Sequence, residues 1–173
     1  MISIIAGTNR HDSKTLLVAK FYQQILAQKN VDAHLISLCD LPDNMLKSDL
    51  YGRRSEQFQL IQDKVSATTK FIFVIPEYNG SFPGVLKLFI DGCKFPESFS
   101  GKKAALVGIA DGTYGNIRGV EHFTGICNYI GITVLPTRIH IPKINSVLDT
   151  QGAIIDPTTL KFVNDQIDKL LVF

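Results

Sequence analysis

Short apolar runs alternate with stretches of helical spacing along the whole 173-residue chain, and this alternation constrains the fold more than any other feature. Ile2–Ala6 is apolar, stops at Gly7, and reads as a buried strand. Residues 16–28 place Leu16, Leu17, Ala19, Phe21, Ile25 and Leu26 at helical spacing, and residues 31–38 read as a second strand. Residues 40–54 are polar and irregular, with Pro42, Asp43 and Gly52, and read as a long loop. Helical period returns over 55–68 through Phe58, Ile61 and Val65, with Ser55 as N-cap. Residues 71–75 are aromatic or β-branched and halt at Pro76, the pattern of a central strand. Pro83 suits the first turn of a helix running through Asp91, where its missing N–H does no harm. Lys103–Ile109 is a fourth buried strand, followed by a helix over 117–130 and a fifth strand over 132–135. A last helix covers 158–171, started by Pro157 and capped by Asp156 or Thr158.

Strands that alternate with helices imply a parallel sheet with right-handed crossovers and helices on both faces. The expected fold is α/β: a flavodoxin-like three-layer sandwich, five-stranded, with strand order 2-1-3-4-5, in one domain over residues 1–173. A net charge of +2 provides no basic field for nucleic acid, and no apolar stretch is long enough for a bilayer. The chain opens on its first strand without a basic region or signal core. Cys39, Cys93 and Cys127 form no CxxC pair, so they read as reduced, mostly buried thiols rather than metal ligands or disulfide partners. A cytoplasmic location is expected.

In this strand order ligands bind beyond the carboxyl ends of the strands, at the switch point between strands 1 and 3. Three loops meet there. The first, residues 7–15, carries Thr8, Ser13 and Thr15 hydroxyls with Arg10 and Lys14 where the chain enters a helix. Helix N–H groups, the positive dipole end and a bidentate arginine all favour a phosphate. A plain N-cap at Ser13 amid solvated charges is the competing reading. A P-loop counted from Gly7 needs glycine at 12 and lysine at 13, whereas the chain has Asp12 and Ser13. The dinucleotide fingerprint G-x-G-x-x-G is absent from this turn as well. The second loop, residues 76–84, holds Pro76, Glu77, Tyr78, Asn79 and Gly80. Tyr78, Asn79 and Gly80 offer an aromatic surface and amides to a flat heteroaromatic ring; a turn chosen for shape explains the glycines and prolines, but less easily an aromatic held beside two polar side chains. The third loop, residues 110–116, contains Asp111 and Gly112.

Residues 76–87, continuing to Ile90 and Asp91, resemble the signature segment of the NADPH-dependent FMN reductase family. Residues 7–13 are similar to that family's G-S-x-R-x-x-S phosphate loop, with Thr8 in place of serine. The resemblance implies bound FMN, hydride from NAD(P)H, and a quinone, flavin, azo dye or metal oxyanion such as chromate as acceptor. It also implies a homodimer or homotetramer. Carried onto this chain, Thr8, Arg10, Ser13, Lys14, Thr15 and Leu16 would hold the phosphate, and Pro76, Glu77, Tyr78, Asn79 and Gly80 would line the isoalloxazine. Asp111 and Gly112 would lie near the ring edge, where the family is commonly richer in glycine and where Asp111 adds a carboxylate.

The flavin performs the hydride chemistry itself, so no catalytic acid or base is assigned. His11, His34, His122 and His140 are scattered and read as structural or solvated. A ping-pong sequence is expected, with donor and acceptor stacking in turn on one ring face. Two other readings are a non-enzymatic flavodoxin-type electron carrier and a relative that has lost FMN and acts as a scaffold. Flavodoxins typically dock through a strongly acidic face, which a net charge of +2 does not suggest. Residues 40–54 and 82–95, with Phe89 and Phe95, are the expected subunit contact.

Overall fold

The computed structural model describes residues 1–173. The elements follow in the order β1 (Ile2–Ala6), α1 (Lys14–Gln28), β2 (Ala33–Ser37), α2 (Met45–Ser48), α3 (Glu56–Ala67), β3 (Lys70–Pro76), α4 (Gly84–Gly92), β4 (Lys103–Ile109), α5 (Ile117–Tyr129), β5 (Thr133–Val134), β6 (Ile139–Ile141), α6 (Ile144–Val147) and α7 (Pro157–Val172). The sheet is parallel, in the order β2-β1-β3-β4-β5, with β6 also paired to β4. Strand periodicity divides the core into two layers. Ile5, Phe71, Phe73, Ile75 and Leu106 face α3, α4 and α5. Ile4, Ile72, Val74 and Val107 face α1 and α7. No helix is long and apolar enough to cross a membrane.

The expected fifth strand is two pieces. β5 is a two-residue strand beside Lys103 and Ala104, and β6 pairs with Val107, Gly108 and Ile109. Pro136 lies between them and has no N–H for the ladder, so the edge leaves the sheet there. The buried Gln166 of α7 covers part of the gap, donating to the carbonyls of Leu106 at 3.1 Å and Thr137 at 2.9 Å. Its own oxygen accepts from the Tyr22 hydroxyl at 2.9 Å.

Residues 40–54, expected as a plain loop, contain α2 and begin within a 3-10 turn, Leu38–Asp40. Ser55 and Asp156 do cap their helices, accepting from the N–H groups of Phe58 and Thr159. Phe89 does not belong to any subunit contact: it is fully buried in the core. Cys93 and Cys127 are buried, and burial pushes the Cys127 thiol up to about 12 and the Cys93 thiol higher. Both are therefore protonated and inert at neutral pH.

Candidate functional site

β1, β3 and β4 run side by side, with Ala6 beside Val74 and Pro76 beside Ile109, so the loops that follow them converge on one edge of the sheet. A cleft of about 350 Å³ opens there, walled by residues 10–15, 76–78, 109–111 and 144–145. Of the residues singled out from sequence, Arg10, Ser13, Lys14, Thr15, Pro76, Glu77, Tyr78 and Asp111 line it. His11, Asp12, Ile144 and Asn145 line it too and were not singled out. His11 and Asp12 sit within the loop already read as a phosphate site. Ile144 and Asn145 come from a segment after β6, and a five-stranded reading has no loop there to inspect.

The first loop leaves β1 close against β3. Gly7 donates to the Val74 carbonyl at 2.9 Å, and a Cβ on Gly7 would lie 2.8 Å from that oxygen. Thr8 turns inward and is buried. Its hydroxyl accepts from Arg10 N–H at 3.2 Å and shares a hydrogen bond with the Tyr78 hydroxyl at 2.7 Å. Thr8 thus joins the first loop to the second from behind the cleft wall. Ser13 is the N-cap of α1, its oxygen accepting from Leu16 N–H at 3.2 Å. The cap occupies the Leu16 N–H. The N–H groups of His11, Asp12, Lys14 and Thr15 meet no protein acceptor. Free backbone donors in the loop before a 15-residue helix and in its first turn, beside Arg10 and Lys14, make a cradle for an anion.

The second loop is a tight turn. Tyr78 N–H donates to the Ser81 carbonyl at 2.9 Å, and Ser81 N–H returns to Tyr78 at 3.1 Å. Asn79 and Gly80 between them have φ of 52° and 75°, as a type I′ turn requires. The shape reading of this loop and the binding reading are therefore compatible: the turn exists, and its central N–H groups meet no protein acceptor. The third loop is tied to the segment after β6. Ile144 N–H donates to Ala110 and Lys143 N–H to Gly112, each at 3.0 Å. Asn145 Nδ2 donates to Asp111 Oδ1 at 2.5 Å, which fixes the carboxylate at the cleft wall.

The donor set suits FMN, with an anion cradle at one end and Tyr78 at the other; Asn79 and Gly80 stand next to Tyr78, outside the cleft lining, and Leu16 and Gly112 lie outside it too. No group of three or more His, Cys, Asp or Glu side chains is placed to hold a metal ion.

Residues 1–146 match the family model described as NADPH-dependent FMN reductase. A 2-hydroxy-1,4-benzoquinone reductase of a Burkholderia species is 26% identical over 172 residues, covering 97% of this chain and 92% of its own. FerB of Paracoccus denitrificans, a flavoenzyme NAD(P)H:(acceptor) oxidoreductase, has the same fold with a TM-score of 0.79 at 23% identity, covering 99% of this chain and 94% of its own. An archaeal flavodoxin shares the fold with a TM-score of 0.64 at 16% identity, covering 99% of each chain.

The Thr8 link is tested by removing its oxygen alone. Thr8→Val keeps the volume but leaves the Arg10 N–H and the Tyr78 hydroxyl short of a partner, which should cost about 1–3 kcal/mol. Thr8→Ser keeps the oxygen and should stay within about 1 kcal/mol of the parent. Urea unfolding reads both, and an unchanged midpoint in Thr8→Val would mean that the hydroxyl does not join the loops.

Proposed function

The chain belongs to the NADPH-dependent FMN reductase family, and we propose that it works as a single cytoplasmic domain passing reducing equivalents from NAD(P)H to a small quinone-type acceptor. The observation that carries this reading is the anion cradle of the first loop, set on the same cleft as the Tyr78 turn. The Burkholderia relative is named for reduction of a benzoquinone, which supports a quinone as the acceptor class. Flavin, azo and metal-oxyanion acceptors suit the same cleft chemistry.

When bound, FMN supplies the hydride chemistry, accepting from NAD(P)H and delivering to the acceptor. The chain does the holding. The N–H groups of His11, Asp12, Lys14 and Thr15, with the Arg10 guanidinium and the Ser13 hydroxyl, would hold the phosphate. Leu16 supports that grip through the Ser13 cap. Pro76, Glu77, Tyr78, Asn79 and Gly80 would border the ring, with Asp111 and Gly112 on the third loop near it. Donor and acceptor approach through one cleft, so they bind in turn, as in a ping-pong sequence.

Leu46, Tyr51 and Phe95 are 71%, 95% and 69% exposed, and they lie on two segments that pack together. Arg54 Nη2 donates to the Gly92 carbonyl at 3.0 Å, and a Cβ on Gly92 would run into the Met45 side chain. Such an apolar surface fits a second copy of the chain, giving a homodimer or homotetramer.

Three measurements test these statements. FMN-loaded protein should bleach its flavin band on anaerobic addition of NADH or NADPH and give parallel double-reciprocal lines with menadione. Failure to bleach would leave the electron-carrier reading in front. Arg10→Ala should weaken FMN binding by about 1.5–3 kcal/mol, one hydrogen bond to a charged group, with little change in the stability of the FMN-free protein. Equal affinity in a fluorescence titration would remove Arg10 from the site. Light scattering at micromolar concentration should give a mass of two or four chains, and Tyr51→Glu with Phe95→Glu should lower it. A monomeric parent would contradict the assembly.

A further inference from the structure

A two-residue turn held by its own pair of hydrogen bonds is marginal in water. The Tyr78–Ser81 turn nevertheless has to present two free amides in a fixed direction if a flat ring is to bind there. Its support comes from one face of α5. Asn116, Gly119 and His122 recur at intervals of three and so share a face of that helix.

Each contributes a different contact. Asn116 is fully buried with φ of 63°, a left-handed conformation that asparagine tolerates. Its Nδ2 donates to the Ile75 carbonyl at 2.9 Å, at the end of β3, and its Oδ1 accepts from Gly119 N–H at 3.1 Å. This locks the start of α5 to the strand from which the turn departs. Gly119 lets the helix come within contact of the turn: a Cβ there would sit 2.7 Å from the Ser81 carbonyl carbon. One turn further along, His122 Nδ1 and Ser81 Oγ are 2.9 Å apart. Phe123 then stacks edge-on against Phe82, the residue after Ser81, with ring centroids 5.4 Å apart.

Asn116, Gly119 and Phe123 are buried, but the Ser81–His122 bond is exposed. The core contacts set where the turn stands, and this bond is the side-chain hydrogen bond that reaches the turn itself from α5. We propose that His122 is a positioning residue for the ring-binding turn, acting through Ser81 to fix the direction of the free Asn79 and Gly80 amides beside the cleft. This rests on the reading of the second loop as the ring site. His122 is placed on the turn rather than on substrate, so it is not assigned a proton-transfer role.

The test uses three variants of the full chain: His122→Ala, Ser81→Ala and His122→Gln, which retains a hydrogen-bonding group. In fluorescence titration with FMN, His122→Ala and Ser81→Ala should each raise Kd about five- to tenfold, the weight of one hydrogen bond. The double alanine variant should be no worse than either single one, because both remove the same bond. His122→Gln should recover most of the affinity, with thermal midpoints of all variants close to the parent. In the FMN-free protein, the Asn79 and Gly80 amide resonances should shift in His122→Ala and return toward the parent positions in His122→Gln. Parent-like Kd in His122→Ala, additive losses in the double variant, or unmoved amides would each overturn the proposal. If the parent protein does not bind FMN at all, the ring-site reading fails by itself, and the amide shifts still decide whether His122 aims the turn.

Discussion

The common register of β1, β3 and β4 is the constraint on which the site depends. β3 is buried on both faces, its neighbours β1 and β4 run parallel to it under a cover of helices, and all three strands finish at the same edge. Had any strand slipped by one residue, its two core layers would have exchanged, and Phe73 and Val74 would each face the wrong helices. The packing of a dozen large side chains thereby fixes where three loops begin. The loops are then held to one another and to the elements around them by Thr8–Tyr78, by the backbone bonds of Gly7 and Glu77, by the bonds from residues 143–145 to the third loop and by the Ser81–His122 contact.

Charge alone does not make this cleft an anion site. Arg10 and Lys14 are opposed by Asp12, Glu77 and Asp111 on the same walls. Directional hydrogen bonds resolve the conflict. An exposed carboxylate some ~8 Å from a phosphate costs only about 0.5 kcal/mol in a water-like dielectric, and salt lowers that further. A hydrogen bond from an N–H to a charged oxygen contributes roughly 1.5–3 kcal/mol, and the N–H groups from His11 to Thr15 meet no protein acceptor. Asp111 is also restrained by Asn145 at the wall formed by the third loop, apart from the loop that carries the cradle.

Strong local signals made much of this legible from sequence. The buried runs, the caps at Ser55 and Asp156 and the glycine at 7 each follow from a residue whose chemistry leaves few choices. The split fifth strand was concealed because residues 132–135 look apolar, whereas Pro136 and the remote Gln166 decide where pairing stops. Phe89 was misread as surface for a related reason. A short helix that is apolar over most of its circumference does not reveal which side meets the sheet, and tertiary packing turned that phenylalanine inward. Asn145 reaches Asp111 across 34 positions of sequence, a contact that no local pattern records.

The junction between β3 and α5 shows how far local strain serves the site. Asparagine in the left-handed region costs on the order of 1 kcal/mol relative to an ordinary conformation. Against that stand an N-cap worth about 0.5–2 kcal/mol and a buried bond to a strand-end carbonyl that would otherwise lack that donor. Glycine at 116 would relieve the strain and lose both bonds, so the balance favours asparagine even though its backbone is the less comfortable one. The same carbonyl belongs to Ile75, one residue before Pro76 begins the second loop. The strain is therefore located where it orients the cleft: the helix start is held to the strand end, and the turn beside it inherits a fixed direction.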